Sequence, residues 1–326
     1  MTSRRRTQHG SATALFADGL EQQGNNGVAG TRDVRVLWEF VAMKIRVGCD
    51  LTYTCAAPTP MVLMLNVHPD RATDLLAPDV VRVAPFRPLS IYTDAFGNTC
   101  ARLIAPAGDM RVMTDTIVRD SGLPDPVAAD ARQHPIAELP YDALMFLMGS
   151  RYCETDRLSD FAWGLFGNTA QGWARVQAIV DFVHQHIKFD YMQARVTRSA
   201  ADVVEERVGV CRDYAHLAVA LCRCMNIPAR YCTGYLGDIG VPPDPAPMDY
   251  SAWFEVYLGG RWYTFDARHN EPRIGRIVIA RGRDAADVAI STTFGWNQLK
   301  NFTVWTDEVN EIVDADTMPA RESMVA

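Results

Sequence analysis

The stretch Gly209-Val210-Cys211-Arg212-Asp213-Tyr214-Ala215-His216-Leu217-Ala218 constrains this chain more than any other. Gly209 closes one segment, and a predicted helix begins at Cys211 and runs through Leu221 to about Asn226. A thiol at a helix N-terminus faces unpaired backbone N–H groups and the positive end of the helix dipole. Both favour the thiolate, and in such places a cysteine pKa falls from about 8.5 to roughly 3.5–7.5. That is how a nucleophile is made. The other reading of the same residue is a small buried hydrophobe.

The rest of the chain divides by pattern. Residues 1–42 hold Gly24-Asn25-Asn26-Gly27 and little periodicity, and are expected to be a disordered extension. The folded part is expected to begin at Met43. From 43 to 122, short runs rich in strand formers, punctuated by Pro58, Pro60 and Pro69, predict a β-sandwich-like N-terminal domain. Residues 123–158 read as a linker with short helices. A core follows over 159–311, with a helical piece from Ser159 to Phe166 and a longer helix from Gln171 to Ile187 whose Trp173, Val176, Ile179, Val180 and Val183 form an apolar stripe. The tail, 312–326, is expected to be loose. The fold class is therefore α+β.

Composition narrows the function. A net charge of −7 argues against a nucleic-acid partner, and no apolar run reaches the roughly 18 residues of a membrane helix. Eight cysteines without a CxxC pair read as free thiols of a reducing, cytoplasmic compartment, with no metal site and no cofactor.

Past Pro228 the chain returns as strands. Ser251 to Tyr257 and Trp262 to Ala267 face each other across Gly259-Gly260. If Leu258 pairs with Arg261, Ala252, Phe254, Val256, Tyr263, Phe265 and Ala267 share an apolar face. Ser251, Trp253, Glu255, Trp262, Thr264 and Asp266 take the other, with Ser251 and Asp266 as diagonal neighbours about 7–8 Å apart.

On these residues, GVCRDYAHLA, then IPARYCTGYL, then AWFEVYLGGRWYTFDA, the chain resembles the transglutaminase-like superfamily of papain-like cysteine enzymes. The resemblance covers about 43–300, and the β region before the core is similar to that of bacterial members. It implies a papain-like core with the cysteine helix packed on an antiparallel sheet. It implies a peptide or protein substrate, with Cys211 as nucleophile and Asp266 as the acid that orients a histidine. The family's histidine falls where this sequence has Ser251. In such a site the imidazole takes the thiol proton and later protonates the leaving amine. Serine does not titrate near neutral pH and cannot perform the second step.

Other residues are candidate substitutes or cleft walls. His269, three residues past Asp266, reaches Cys211 only if the strand ends and the chain bends. His216 lies about 140° round the helix from Cys211 and points away. His184 and His186 read as a solvated helix end. Cys222 and Cys224 read as core, Asp213 as a complement to the helix dipole, and Glu255 as an alternative acid or base. Tyr214 and Trp253 are cleft-lining candidates. The loop 237–248, with four prolines and Asp238 and Asp244, reads as a possible cover over the site. Two functions follow: thiol-dependent acyl transfer or hydrolysis of amide bonds through a Cys211 thioester, or a catalytically lapsed module that binds an extended peptide or protein.

Overall fold

The computed structural model describes residues 43–309. The expected extension 1–42 and tail 312–326 lie outside the described residues. The first strands are β1 (Met43–Cys55), β2 (Thr59–Leu63), β3 (Arg82–Ala84), β4 (Ser90–Thr93), β5 (Thr99–Ala105) and β6 (Gly108–Asp120). Strict alternation builds β1: Ile45, Val47, Cys49, Leu51, Tyr53 and Cys55 all turn inward and are buried. It pairs antiparallel with β6 over its whole length, from Met43 opposite Asp120 to Cys55 opposite Gly108.

The middle of the chain is helical. In order come α1 (Tyr141–Leu144), α2 (Thr155–Phe166), α3 (Trp173–His186), β7 (Lys188–Phe189), α4 (Ala200–Glu206), β8 (Val208–Gly209) and α5 (Cys211–Cys224). Every residue of α5 from Asp213 to Cys224 is buried. A helix hidden on all sides is a central one. Leu217, Leu221 and Cys222 pack with Phe254, Val256 and Phe265 in one core.

That core rests on the sheet formed by β9 (Ala229–Tyr235), β10 (Ser251–Leu258), β11 (Arg261–Phe265) and β12 (Ile277–Gly282), in the order β11-β10-β9-β12. The β10–β11 register runs from Leu258 opposite Arg261 to Phe254 opposite Phe265. Gly259 and Gly260 have φ of 55° and 89°. Both central residues at positive φ make the tight primed turn that only such residues adopt without strain.

The last strands, β13 (Ser291–Thr293) and β14 (Asn297–Glu308), return to the first ones. The sheets are β14-β1-β6-β3 and β13-β2-β5-β4. The strands at 291–308 therefore lie in the sheets of the 43–122 region, although the core was expected to run over 159–311. The physical reason is edge strands. Without β14, β1 would present an unpaired backbone edge from Ile45 to Cys55. The two parts also share one core, in which Val47 and Met61 pack with Tyr235, Ala252 and Ile277.

Candidate active site

The start of α5 is set by two residues flanking Cys211. Asp213, fully buried in the first turn, accepts the Val210 N–H at 2.9 Å and the Arg198 guanidinium at 3.1 Å. Gly209 lies so close that a Cβ on it would stand 2.6 Å from the Asp213 Cβ. Asp213 thus does more than complement the dipole: its carboxylate ties the turn before Cys211 to the turn after it.

Cys211 keeps part of its surface open, whereas the other seven cysteines are buried and all eight are free. Burial pushes its thiol up to about 11. The charge of Arg268 and the Ala252 N–H pull it down, and the charges of Asp249 and Asp266 push it up. The shift runs opposite to the lowering expected of a helix tip, because burial disfavours the charged thiolate.

Asp266 is buried just past the end of β11. Its Oδ1 accepts the backbone N–H of Arg268 at 2.9 Å and that of His269 at 3.2 Å. Its Oδ2 accepts His269 Nδ1 at 2.8 Å and Arg276 Nη2 at 2.9 Å. Burial would raise this carboxyl, but the charge of Arg276 and the bonds from His269 outweigh it and hold it well below the usual carboxylate range. An ionised carboxylate only accepts, so His269 Nδ1 is the donor of this bond and its Nε2 is not engaged by Asp266.

His269 reaches Asp266 because the strand ends at Phe265 and the chain turns, with the Asn270 N–H bonded to the Asp266 carbonyl at 2.8 Å. Helix α3 clamps this turn. His184 Nδ1 lies 3.2 Å from the Ala267 carbonyl and 3.0 Å from that of Arg268. Asp181 and Gln177 each bond Asn270 at 2.9 Å. The sequence reading missed this role for α3, although the spacing of Gln177, Asp181 and His184 (i, i+4, i+7) marks one polar face.

A cleft beside the pair is lined by Ser251, Arg268, His269, Tyr191 and Asp249, with Asp238, Asp244 and Met248 of the proline-rich loop in its wall. Ser251 opens β10, opposite Gly234 of β9. Among the described residues no hydrogen bond joins Cys211 to His269; the backbone N–H of Ala252, the residue after Ser251, bonds the Cys211 thiol.

The remaining sequence candidates fall elsewhere. Tyr214 is 4% exposed and donates to the Ile187 carbonyl at 2.6 Å, and Trp253 is 2% exposed. Neither lines the cleft of Ser251 and His269, because both are consumed by packing. Glu255 is buried between Arg230 at 2.6 Å and Arg281 at 3.1 Å, a structural ion pair and no free acid. His216 is buried, accepts the Ala285 N–H at 3.1 Å and stacks on Tyr152. Cys222 lies in the core. Among the described residues no His, Cys, Asp and Glu group is arranged to hold a metal ion.

Comparison with known proteins agrees with this geometry. The transglutaminase-like superfamily matches residues 160–267, which span Cys211 and Asp266. A solved protein from Cytophaga hutchinsonii, described as a candidate cysteine protease, is 31% identical. It superimposes with a TM-score of 0.71, over 83% of this chain and 92% of that one. The chain belongs to the transglutaminase-like superfamily. An uncharacterized Mycobacterium leprae protein is 35% identical over 108 residues, 31% of this chain and 38% of that protein. An uncharacterized Mycobacterium tuberculosis protein is 32% identical over 149 residues, 40% of this chain and 43% of its own. The chain thus spans about two fifths of the curated relatives it matches. As a member of this superfamily it carries a mixed α and β fold with a transglutaminase-like core, and no described helix is long and apolar enough to cross a membrane.

Proposed function

We propose that this chain catalyses thiol-dependent acyl transfer or hydrolysis at amide bonds of a peptide or protein, with Asp266 and His269 replacing the histidine absent at Ser251. The observation that carries this reading is the 2.8 Å bond from His269 to Asp266. It gives the superfamily's acid an imidazole three residues away instead of on β10. The similarity to the Cytophaga hutchinsonii protein supports amide chemistry.

The neutral thiol requires a base during attack rather than a preformed ion pair. His269 Nε2 takes the Cys211 proton as sulfur adds to the amide carbonyl. The C–N bond then breaks, and the imidazolium returns that proton to the departing amine. Asp266 stabilises the cation throughout. Water or a second amine attacks the thioester and yields a proton to His269; the C–S bond breaks, and the imidazolium returns that proton to the departing Cys211 sulfur. We place the activity in a reducing cytoplasm, where the thiol stays free.

A second reading is a lapsed, peptide-binding cleft. The raised thiol pKa and the lack of a Cys211–His269 hydrogen bond favour it. The experiment that separates the two is thioester trapping. The protein is incubated with a peptide mixture, quenched in acid, and Cys211 is examined by intact and peptide mass spectrometry. Acylated Cys211, absent in His269→Ala, supports the enzyme. Retention of peptide without acylation supports the binding module and overturns the first reading.

A further inference from the structure

Arg268 is a cleft residue that the mechanism above leaves unused. It lines the wall shared by Ser251 and His269. Its backbone is fixed on both sides, the N–H by Asp266 and the carbonyl by His184. Its guanidinium carbon lies 4.0 Å from the centre of the Phe189 ring and 5.9 Å from that of Tyr191. Among the described residues no carboxylate lies within ion-pairing distance of it. Its neighbours differ. Arg276 is paired with Asp125 at 2.8 Å and Asp266 at 2.9 Å, and Arg273 faces Asp238 at 3.9 Å. Asp249, across the cleft, is instead bonded to the Tyr250 N–H at 2.6 Å.

The stacked guanidinium has one face occupied, and its N–H edge meets the Tyr191 hydroxyl but, among the described residues, no carboxylate. That edge matches the two oxygens of a carboxylate. Leaving such a group unpaired in a half-enclosed cleft is costly unless a ligand completes it. We propose that Arg268 is the carboxylate receptor of this site, so that the acyl donor carries a free carboxylate close to the scissile amide. The carboxylate belongs either to a peptide C-terminus or to an acidic side chain. This rests on the acyl-transfer reading for its substrate, but not for its test. Arg268 shares the cleft wall with His269, the base of that reading, and its charge lowers the Cys211 thiol.

The test compares alkylation of Cys211 by iodoacetate and iodoacetamide, followed by peptide mapping. Both reagents need the same thiolate, so their rate ratio cancels any change in thiol pKa. In the folded protein the iodoacetate to iodoacetamide ratio should exceed that of the urea-unfolded chain by roughly tenfold, a gain of the size that one charged receptor supplies. Arg268→Gln should remove the gain and Arg268→Lys should keep most of it, with unchanged circular dichroism. A folded ratio equal to the unfolded one, or a gain that survives in Arg268→Gln, overturns the proposal. Acetylated dipeptides then separate the two sources. Protection of Cys211 that is lost on C-terminal amidation identifies the chain end. Protection lost on exchanging Glu for Gln identifies the side chain, and protection by neither overturns the receptor. Should the ratio shift while no acyl-Cys211 forms, the receptor stands and the enzymatic reading falls.

Discussion

At the scale of single residues, Cys211 and Ser251 pull in opposite directions. The first keeps a partly open thiol at the helix tip, and the second lacks the proton chemistry expected at the head of β10. Ser251 lines the cleft beside His269, so Ser251→His would add a second imidazole there. If the cleft accepts amides, that variant should raise turnover, and a broad peptide panel read by mass spectrometry would show it. No gain would mean that the cleft itself is unsuited. Asp266 makes a second prediction through linkage. Its folded pKa is depressed below the unfolded value of about 3.9. The ionised group therefore contributes stability above that value, and the contribution is lost as pH falls through the folded pKa. Asp266→Asn should flatten the acid side of the stability profile, measured as urea midpoints from about pH 5 down to about pH 2. At this scale the sequence was legible where geometry is local: Asp266 and His269 are three residues apart and a single turn joins them. The thiol pKa was not, because its burial comes from segments distant in the chain.

At the scale of elements, the site depends on two short devices: the entry to α5 and the turn after β11. The entry is readable as a pattern, since a glycine before a helix and an acid in its first turn are both visible. What they do to each other is not. Gly209 has no room for a side chain because Asp213 folds back over it. Gly209→Ala forces that carboxylate off the Val210 N–H or shifts the whole entry. Overpacking of this kind costs about 1–3 kcal/mol. The variant should show a lower urea midpoint and, more tellingly, a changed Cys211 alkylation rate, since Cys211 is carried on the displaced turn. A rate and midpoint equal to those of the parent would show that the entry tolerates the shift. The turn after β11 was legible only as a place where alternation stops. Its clamp comes from α3, roughly ninety positions earlier, through Asp181, Gln177 and His184. A polar helix face looks the same in sequence whether it meets solvent or a backbone carbonyl.

At the scale of the whole molecule, the feature hardest to read was the return of the chain's end to its beginning. The run Phe302-Thr303-Val304-Trp305-Thr306 announces a strand, but nothing local names its partner. The partner is β1, with Gly48 opposite Trp305, and the fit is close enough that a Cβ on Gly48 would meet the Trp305 ring at 2.5 Å. Trp305 also donates to Asp115 of β6 at 3.0 Å. The β14-β1-β6-β3 sheet is therefore built from both ends of the described chain, while the transglutaminase-like core lies between them. Because Ile45, Val47 and Leu51 share a core with Tyr235, Ala252 and Ile277, neither part can lose its packing without exposing the other's apolar surface. The protein should then unfold in one cooperative transition. Near-ultraviolet circular dichroism and Cys222 accessibility, the first reporting the whole and the second the α5 core, should change with the same midpoint. Ending the chain at residue 290 removes β13 and β14 and opens the edge of β1. That shortened chain should lose cooperativity in both probes and aggregate at concentrations where the parent stays dispersed. Two separated transitions in the parent, or a shortened chain whose α5 core melts unchanged, would show that the β region and the core are independent modules and that the shared packing carries little energy.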